Sequence, residues 1–186
     1  MIRFLKGKIS EIGEGYVVVE VNGLGLEIMS DEMTLSTLQE GQEGFLHTVL
    51  IFGEEPKIYG FSNSEKRALF LKLLQVSKLG PKTALKMLSS TDVGTLVSLI
   101  ISGDVESLSK IPGVGRRTAE RIVAELKDSL KEFEAAEKDA FEAIEALKAL
   151  GYSASEASSA VREVVREGMD VSQIIKEALN VLMRRK

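Results

Sequence analysis

Apolar positions alternate along the first sixty or so residues and then shift to a spacing of three and four. Tyr16-Val17-Val18-Val19-Glu20-Val21 is β-branched and runs into Asn22-Gly23, a pair suited to a two-residue hairpin turn. Leu24-Gly25-Leu26-Glu27-Ile28 follows as the partner strand, with Leu24, Leu26 and Ile28 on one face. Gly13-Glu14-Gly15 marks an earlier turn, after a strand from Ile2 to Ile12. Beyond a polar stretch with helical character, Asp31 to Gln39, strands are predicted over Phe45–Phe52 and Lys57–Phe61. Five short strands in about 60 residues predict a five-stranded β-barrel of the OB-fold type, with a plain antiparallel sheet as the alternative.

At Ser62-Asn63-Ser64-Glu65 the period changes. Ser62 and Glu65 have capping-box spacing, and a helix to about Val76 would bury Leu69, Phe70, Leu73 and Leu74. Asp92 and Asp104 are placed to cap connecting helices over Val93–Ile101 and Val105–Leu108. A longer helix runs through Leu126 to about Leu130. Residues 131–138, charged and alanine-rich without a turn signal, read as a linker between domains, either flexible or a helix extension. Phe141, Ile144, Leu147 and Leu150 then share a helical face that Gly151 ends. Ser153 with Glu156 forms a second capping box, and Asp170 is placed to cap a last helix bearing Ile174, Ile175, Leu179 and Leu182. The expected domains are therefore a barrel (1–62), an all-α domain (63–130) and, after the linker, a small three-helix bundle (139–186). The bundle's thin core leaves apolar surface for a partner.

The all-α domain contains an internal repeat. Leu79-Gly80-Pro81-Lys82-Thr83-Ala84-Leu85-Lys86 aligns with Val114-Gly115-Arg116-Arg117-Thr118-Ala119-Glu120-Arg121 at a constant offset of 35. Two copies are too few for a helical solenoid. What repeats is a glycine-and-cation turn opening into a helix, fullest in Ile111-Pro112-Gly113-Val114-Gly115-Arg116-Arg117. Glycine lets backbone approach a ligand closely, and the leading amides and dipole of a helix favour an anion. This stretch is similar to the second half of a helix-hairpin-helix motif, which binds nucleic-acid backbone without reading sequence. The ordinary alternative is a glycine-rich turn between packed helices, for which Pro-Gly-Val-Gly followed by two cations is more than is needed. Lys78 stands where the second copy has Gly113, so the first turn relies more on Lys78 and Lys82 than on bare amides.

Charge distribution supports the motif. The chain carries −4 overall, but residues 1–63 carry −6, residues 64–131 carry +5 and residues 132–186 carry −3. Positive charge thus coincides with the phosphate-binding pattern. Cysteine is absent and His47 is the single histidine, which removes disulfides, cysteine-based metal sites and most triad chemistry. With no long apolar run and no apolar core near Met1, neither a membrane span nor a signal peptide is expected, which places the chain in the cytoplasm.

Catalytic patterns are incomplete. Gly80-Pro81-Lys82-Thr83 lacks the glycine that a P-loop needs before its lysine, and Gln75 stands where the earlier glycine belongs. Helix-hairpin-helix glycosylases carry a lysine nucleophile where this chain has Arg117, and an aspartate where it has Ala135, Ala136 and Glu137. A guanidinium stays protonated and is a poor nucleophile. The expectation is a DNA binder with no catalytic or metal-holding residues of its own. Its alternatives are a nuclease or glycosylase acting on branched or damaged DNA, and a protein-binding scaffold.

Taken in order, the motifs resemble the RuvA family, the Holliday-junction-binding subunits of bacterial branch-migration complexes. The resemblance rests on Leu5-Lys6-Gly7, Val21 to Gly25, Tyr59-Gly60-Phe61, Gly80-Pro81-Lys82, Ile111 to Ile122 and Leu150-Gly151-Tyr152-Ser153. It implies an OB-fold, a tandem helix-hairpin-helix domain and a UBA-like third domain contacting the RuvB ATPase, through residues such as Leu147, Leu150 and Tyr152. It implies phosphate contacts from Lys78, Gly80, Lys82, Thr83, Gly113, Gly115, Arg116, Arg117, Thr118 and Arg121. Glu54 and Glu55 fall on the family's acidic pin, although the residues alone read as an exposed hairpin tip. Also implied are a homotetramer, or two tetramers on one junction, ATP and Mg²⁺ bound by RuvB alone, and contact with the RuvC resolvase. Arg3 departs from the glycine usual in the family.

Overall fold

Strand β1 (Phe4–Gly13) bends at a bulge between Ile9 and Glu11, which lets it pair with β2 (Tyr16–Val21) on one side and β4 (Glu43–Ile51) on the other. The computed structural model describes residues 2–53, 55–165 and 169–184, without the side chains of 132–137. Strand β3 (Leu24–Ser30) continues from β2 through Asn22 and Gly23, whose φ values of 51° and 86° are those of the tight hairpin turn expected. Strand β5 (Lys57–Phe61) pairs parallel to β3 and antiparallel to β4. The result is a closed barrel, β1-β2-β3-β5-β4, with no free sheet edge. Ile9, Val17, Val19, Ile28 and Leu46 fill its interior. Leu24, expected to share a face with Leu26 and Ile28, is 66% exposed because it begins β3 at the hairpin end, while Ile28 is buried. The helical stretch expected over Asp31–Gln39 shrinks to one short helix, α1 (Glu32–Leu35), capped by Asp31.

The all-α domain comprises α2 (Ser64–Leu73), α3 (Pro81–Ser90), α4 (Val93–Ser102), α5 (Val105–Ser109) and the start of α6 (Arg116–Ala149). Asp92 and Asp104 cap α4 and α5 as the sequence predicts, accepting from Thr95 N and Ser107 N at 2.9 Å each. The cap of α2 differs from expectation. Asn63 Oδ1 accepts from Lys66 N at 2.8 Å, while the Ser62 amide donates to Thr34 Oγ1 across the barrel boundary. Phe70 of α2 packs its ring 5.1 Å from Tyr59 and 4.8 Å from Phe61, joining the helices to β5.

The chain divides into units at Met1–Lys127 and Asp128–Lys186. In the second, α7 (Ala154–Val164) and α8 (Val171–Arg184) pack with the end of α6 around Leu147, Ala160, Val161, Ile174 and Ala178. Toward its C-terminal end α6 buries Ala143 and Leu147, one turn apart, while Phe141 and the following Leu150 face solvent at 64% and 62% exposure. Gly151 ends α6 at φ 94°, Ser153 and Glu156 form the predicted capping box, and Asp170 Oδ1 accepts from Gln173 N at 2.9 Å. Residues 131–138, read from sequence as a linker, have helical backbone within α6. Among the described residues, no single helix is long and apolar enough to cross a membrane.

Candidate nucleic-acid interface

The two turns that the repeat predicts adopt matching hydrogen-bond patterns. Between α2 and α3, Leu79 N donates to Val76 O at 3.1 Å, and Thr83 N and Ala84 N both donate to Gly80 O at 3.1 Å. Thirty-five residues on, Val114 N donates to Ile111 O at 2.9 Å, and Thr118 N and Ala119 N both donate to Gly115 O at 2.9 Å. Burial repeats as well. Val76, Leu79, Ala84 and Met87 are buried in one copy, and Ile111, Val114, Ala119 and Ile122 in the other. Apolar residues anchor each turn from beneath and leave Gly80 and Gly115 on the surface, where a Cβ would meet nothing within 4 Å. A phosphate can therefore approach either backbone closely.

The leading amides differ between copies. In α6 the amides of Arg116 and Arg117 stand ahead of the first helical bond, where the helix dipole is positive. In α3 the first position is Pro81, which has no N–H, so Lys82 supplies the first helical amide. Lys78, Lys82, Arg116 and Arg117 are all exposed, and Thr83 and Thr118 are half-buried. Arg116 Nε lies 3.1 Å from Glu120 Oε1 in an exposed pair that costs little to break.

Each helix also reaches toward the other turn. Arg121 Nη1 of α6 donates to Ser77 O at 2.6 Å, and Ser77 N donates to Glu125 Oε2 at 3.0 Å, so both backbone groups of Ser77 are held from α6. Reciprocally, the Lys86 side chain of α3 lies over the second turn, with its Cδ 3.8 Å from where a Cβ on Gly113 would sit. Lys86 and Arg121 are partners in the repeat, at the offset of 35. That Arg121 binds the first turn's backbone was not legible from its place in the motif.

The acidic turn lies between β4 and β5. Glu55 is exposed, 3.7 Å from Lys57 Nζ, and Phe52, just past the end of β4, is 78% exposed. Glu54 lies outside the described residues. In the C-terminal unit, Leu150 is exposed, Tyr152 is half-buried and Leu147 sits wholly inside the core. Among the described residues no three Asp, Glu or His side chains converge as a metal site.

Family models match the chain in three successive segments. Residues 1–60 match the family model described as RuvA N terminal domain, 70–128 the SAM-like helix-hairpin-helix tandem, and 140–183 the RuvA, C-terminal domain. A protein of Thermotoga petrophila called Holliday junction branch migration complex subunit RuvA is 48% identical over 191 residues, covering all of both chains. The chain belongs to the RuvA family. Relatives of the same name in Fervidobacterium nodosum and Thermosipho africanus are 47% and 42% identical, each aligned over 99% of this chain and all of the relative. Membership of the RuvA family accounts for the barrel, the paired hairpins and the terminal bundle occurring in this order.

Proposed function

We propose that this chain binds four-way DNA junctions without regard to sequence and works with a RuvB-type ATPase to move the branch point. The observation that carries this reading is the pair of matched turns, each offering an open glycine backbone and exposed cations at a helix start. Contacts of that kind grip phosphate and carry no base information, which suits a protein acting on crossovers of any sequence. Lys78, Gly80, Lys82 and Thr83 form one clamp, and Gly113, Gly115, Arg116, Arg117 and Thr118 the other. Arg121 contributes from the edge of the second clamp while holding Ser77.

The full-length likeness to junction branch-migration subunits supports the same reading, and it does not favour a nuclease or glycosylase. The chain is proposed to act as a non-catalytic subunit, with ATP and Mg²⁺ bound by the motor. A homotetramer fits the task, because four chains with two clamps each address four arms. Two tetramers facing across one junction, contact with a RuvC-type resolvase and a cytoplasmic location belong to the same proposal. Glu54 and Glu55 would stand at the branch point as an acidic pin, repelling phosphates and keeping separated strands apart. Leu150 and Tyr152, supported from beneath by Leu147, are the proposed motor-facing residues.

Gel shift with a four-way junction and a linear duplex of equal length tests the reading. Junction binding should be the tighter and should weaken with salt by about 0.9 log units per log unit for each phosphate neutralised. Arg116→Ala with Arg117→Ala should reduce both affinity and slope. Equal affinity for the two DNAs would overturn the junction assignment.

A further inference from the structure

The barrel and the hairpin domain meet at an ion pair removed from water. Lys66 Nζ of α2 lies 2.6 Å from Asp31 Oδ1, with the lysine side chain 7% exposed and the aspartate side chain 0%. Asp31 is otherwise occupied by the barrel side, accepting from Thr34 N at 3.0 Å and from Thr34 Oγ1 at 2.6 Å. Thr34 Oγ1 in turn accepts from Ser62 N at 3.2 Å. Nearby, Arg67 Nε donates to Thr48 O of β4 at 2.7 Å, and Glu32 N donates to Ser89 Oγ of α3 at 3.1 Å. All of these residues belong to the one unit Met1–Lys127.

A buried ion pair is a poor way to gain stability, because desolvating both charges offsets most of their attraction, and apolar residues of similar volume often do as well. Its distinctive property is directional. A charge-assisted hydrogen bond with its remaining lone pairs occupied tolerates few alternative arrangements, whereas a greasy contact tolerates many. The place where this restriction acts is informative. Helix α2 opens the first hairpin, and its neighbours Arg67 and Phe70 grip β4 and β5, the ribbon that carries the acidic turn at its tip.

We infer that Asp31 and Lys66 are positioning residues for junction binding, setting the angle between the barrel with its acidic turn and the phosphate-gripping hairpins. The inference rests on the junction-binding reading above. With the pair intact, the acidic turn and the two clamps are presented to the branch point in one arrangement. Without it, the clamps still grip a single duplex arm, but the preference for a junction is lost.

The absence of cysteine allows a direct test. Spin labels on Glu14→Cys in the barrel and Ser98→Cys in α4, both exposed positions, report the angle as a distance distribution in the full chain without DNA. The main variant is Asp31→Asn with Lys66→Met, which removes both charges while keeping volume and a capping oxygen for Thr34. Should it not be recovered folded, Lys66→Gln serves in its place, retaining a donor without charge. The expected result is a broadened or shifted distance, unchanged duplex affinity and a fall in junction-over-duplex preference of about tenfold, equivalent to about 1.4 kcal/mol. An unchanged distance overturns the inference, and so does a broadened distance with junction preference intact. Failure of the underlying reading is distinguishable, because the unsubstituted protein would then show no junction preference, while the distance would still report on the pair.

Discussion

Lys78 occupies the same left-handed backbone region as its repeat partner Gly113, with φ of 60° against 87°. For a residue with a Cβ this conformation costs about 1–2 kcal/mol. The first turn therefore exchanges backbone ease for a cation at the place where DNA is expected. Lys78→Gly should raise the unfolding midpoint, with a gain near 1 kcal/mol, and also weaken junction binding. Thermal denaturation reads the first effect. A salt titration reads the second, its slope falling by about 0.9 if Lys78 neutralises one phosphate. A stabilised protein with unaltered salt slope would show that Lys78 contacts no DNA.

Two glycines of the second turn should respond differently to the same methyl group. At Gly113, φ of 87° makes alanine strained, so Gly113→Ala is expected to lose about 1–2 kcal/mol in chemical denaturation. At Gly115 a Cβ meets nothing within 4 Å, so Gly115→Ala should change stability by less than about 0.5 kcal/mol. Its methyl would nonetheless stand between phosphate and amide, and junction affinity should drop. Wild-type affinity in Gly115→Ala would mean that phosphate does not reach that backbone.

Acid should loosen the hairpin domain through its caps. Hydrogen bonds from the Thr95 hydroxyl and amide hold the Asp92 carboxyl below its ordinary range, and those from the Ser107 amide and side chain do the same for Asp104. A lowered folded value means that the stabilisation is fully present above the unfolded value, about 3.9, and is lost as pH falls through the folded value. Urea midpoints should thus decline below about pH 4, and Asp92→Asn with Asp104→Asn should flatten that decline. An equally steep decline in the double variant would place the acid sensitivity elsewhere.

Much of this was readable from spacing alone. The offset of 35 between Gly80 and Gly115 located both matched turns, because a turn of this kind needs particular residue types at fixed local separations. Asp92, Asp104, Ser153 and Asp170 were legible as caps for the same reason. Asp31 with Lys66 was not. Neither residue sits in a local pattern, and their meeting depends on how a finished barrel rests against a finished helix. Ser62 was misread as a cap because its hydrogen bonds go to Thr34, a partner far away in sequence. Phe141 and Leu150 were misplaced because small Ala143, rather than a larger apolar residue, fills the seam of α6.

Removing residues 140–186 takes away the bundle that Leu147 and Val161 hold together and leaves the residues of both matched turns in the chain. The truncated chain should bind a junction with unchanged affinity and fail to stimulate a RuvB-type ATPase on that junction. Stimulation by the truncated protein would move the motor contact to the barrel or the hairpins.

The crossing of Arg121 onto Ser77 and of Lys86 over Gly113 has a mechanical consequence. Arg121 and Glu125 tie the first turn to the helix that opens from the second, so the two turns are linked through α6. The pair works as a calliper. Under the proposed reading, a duplex whose two backbones run at the matching separation would satisfy both jaws at once, while a frayed or single-stranded arm would fill only one. On the proposed phosphate contacts, duplex width rather than base identity is what the two turns would sense.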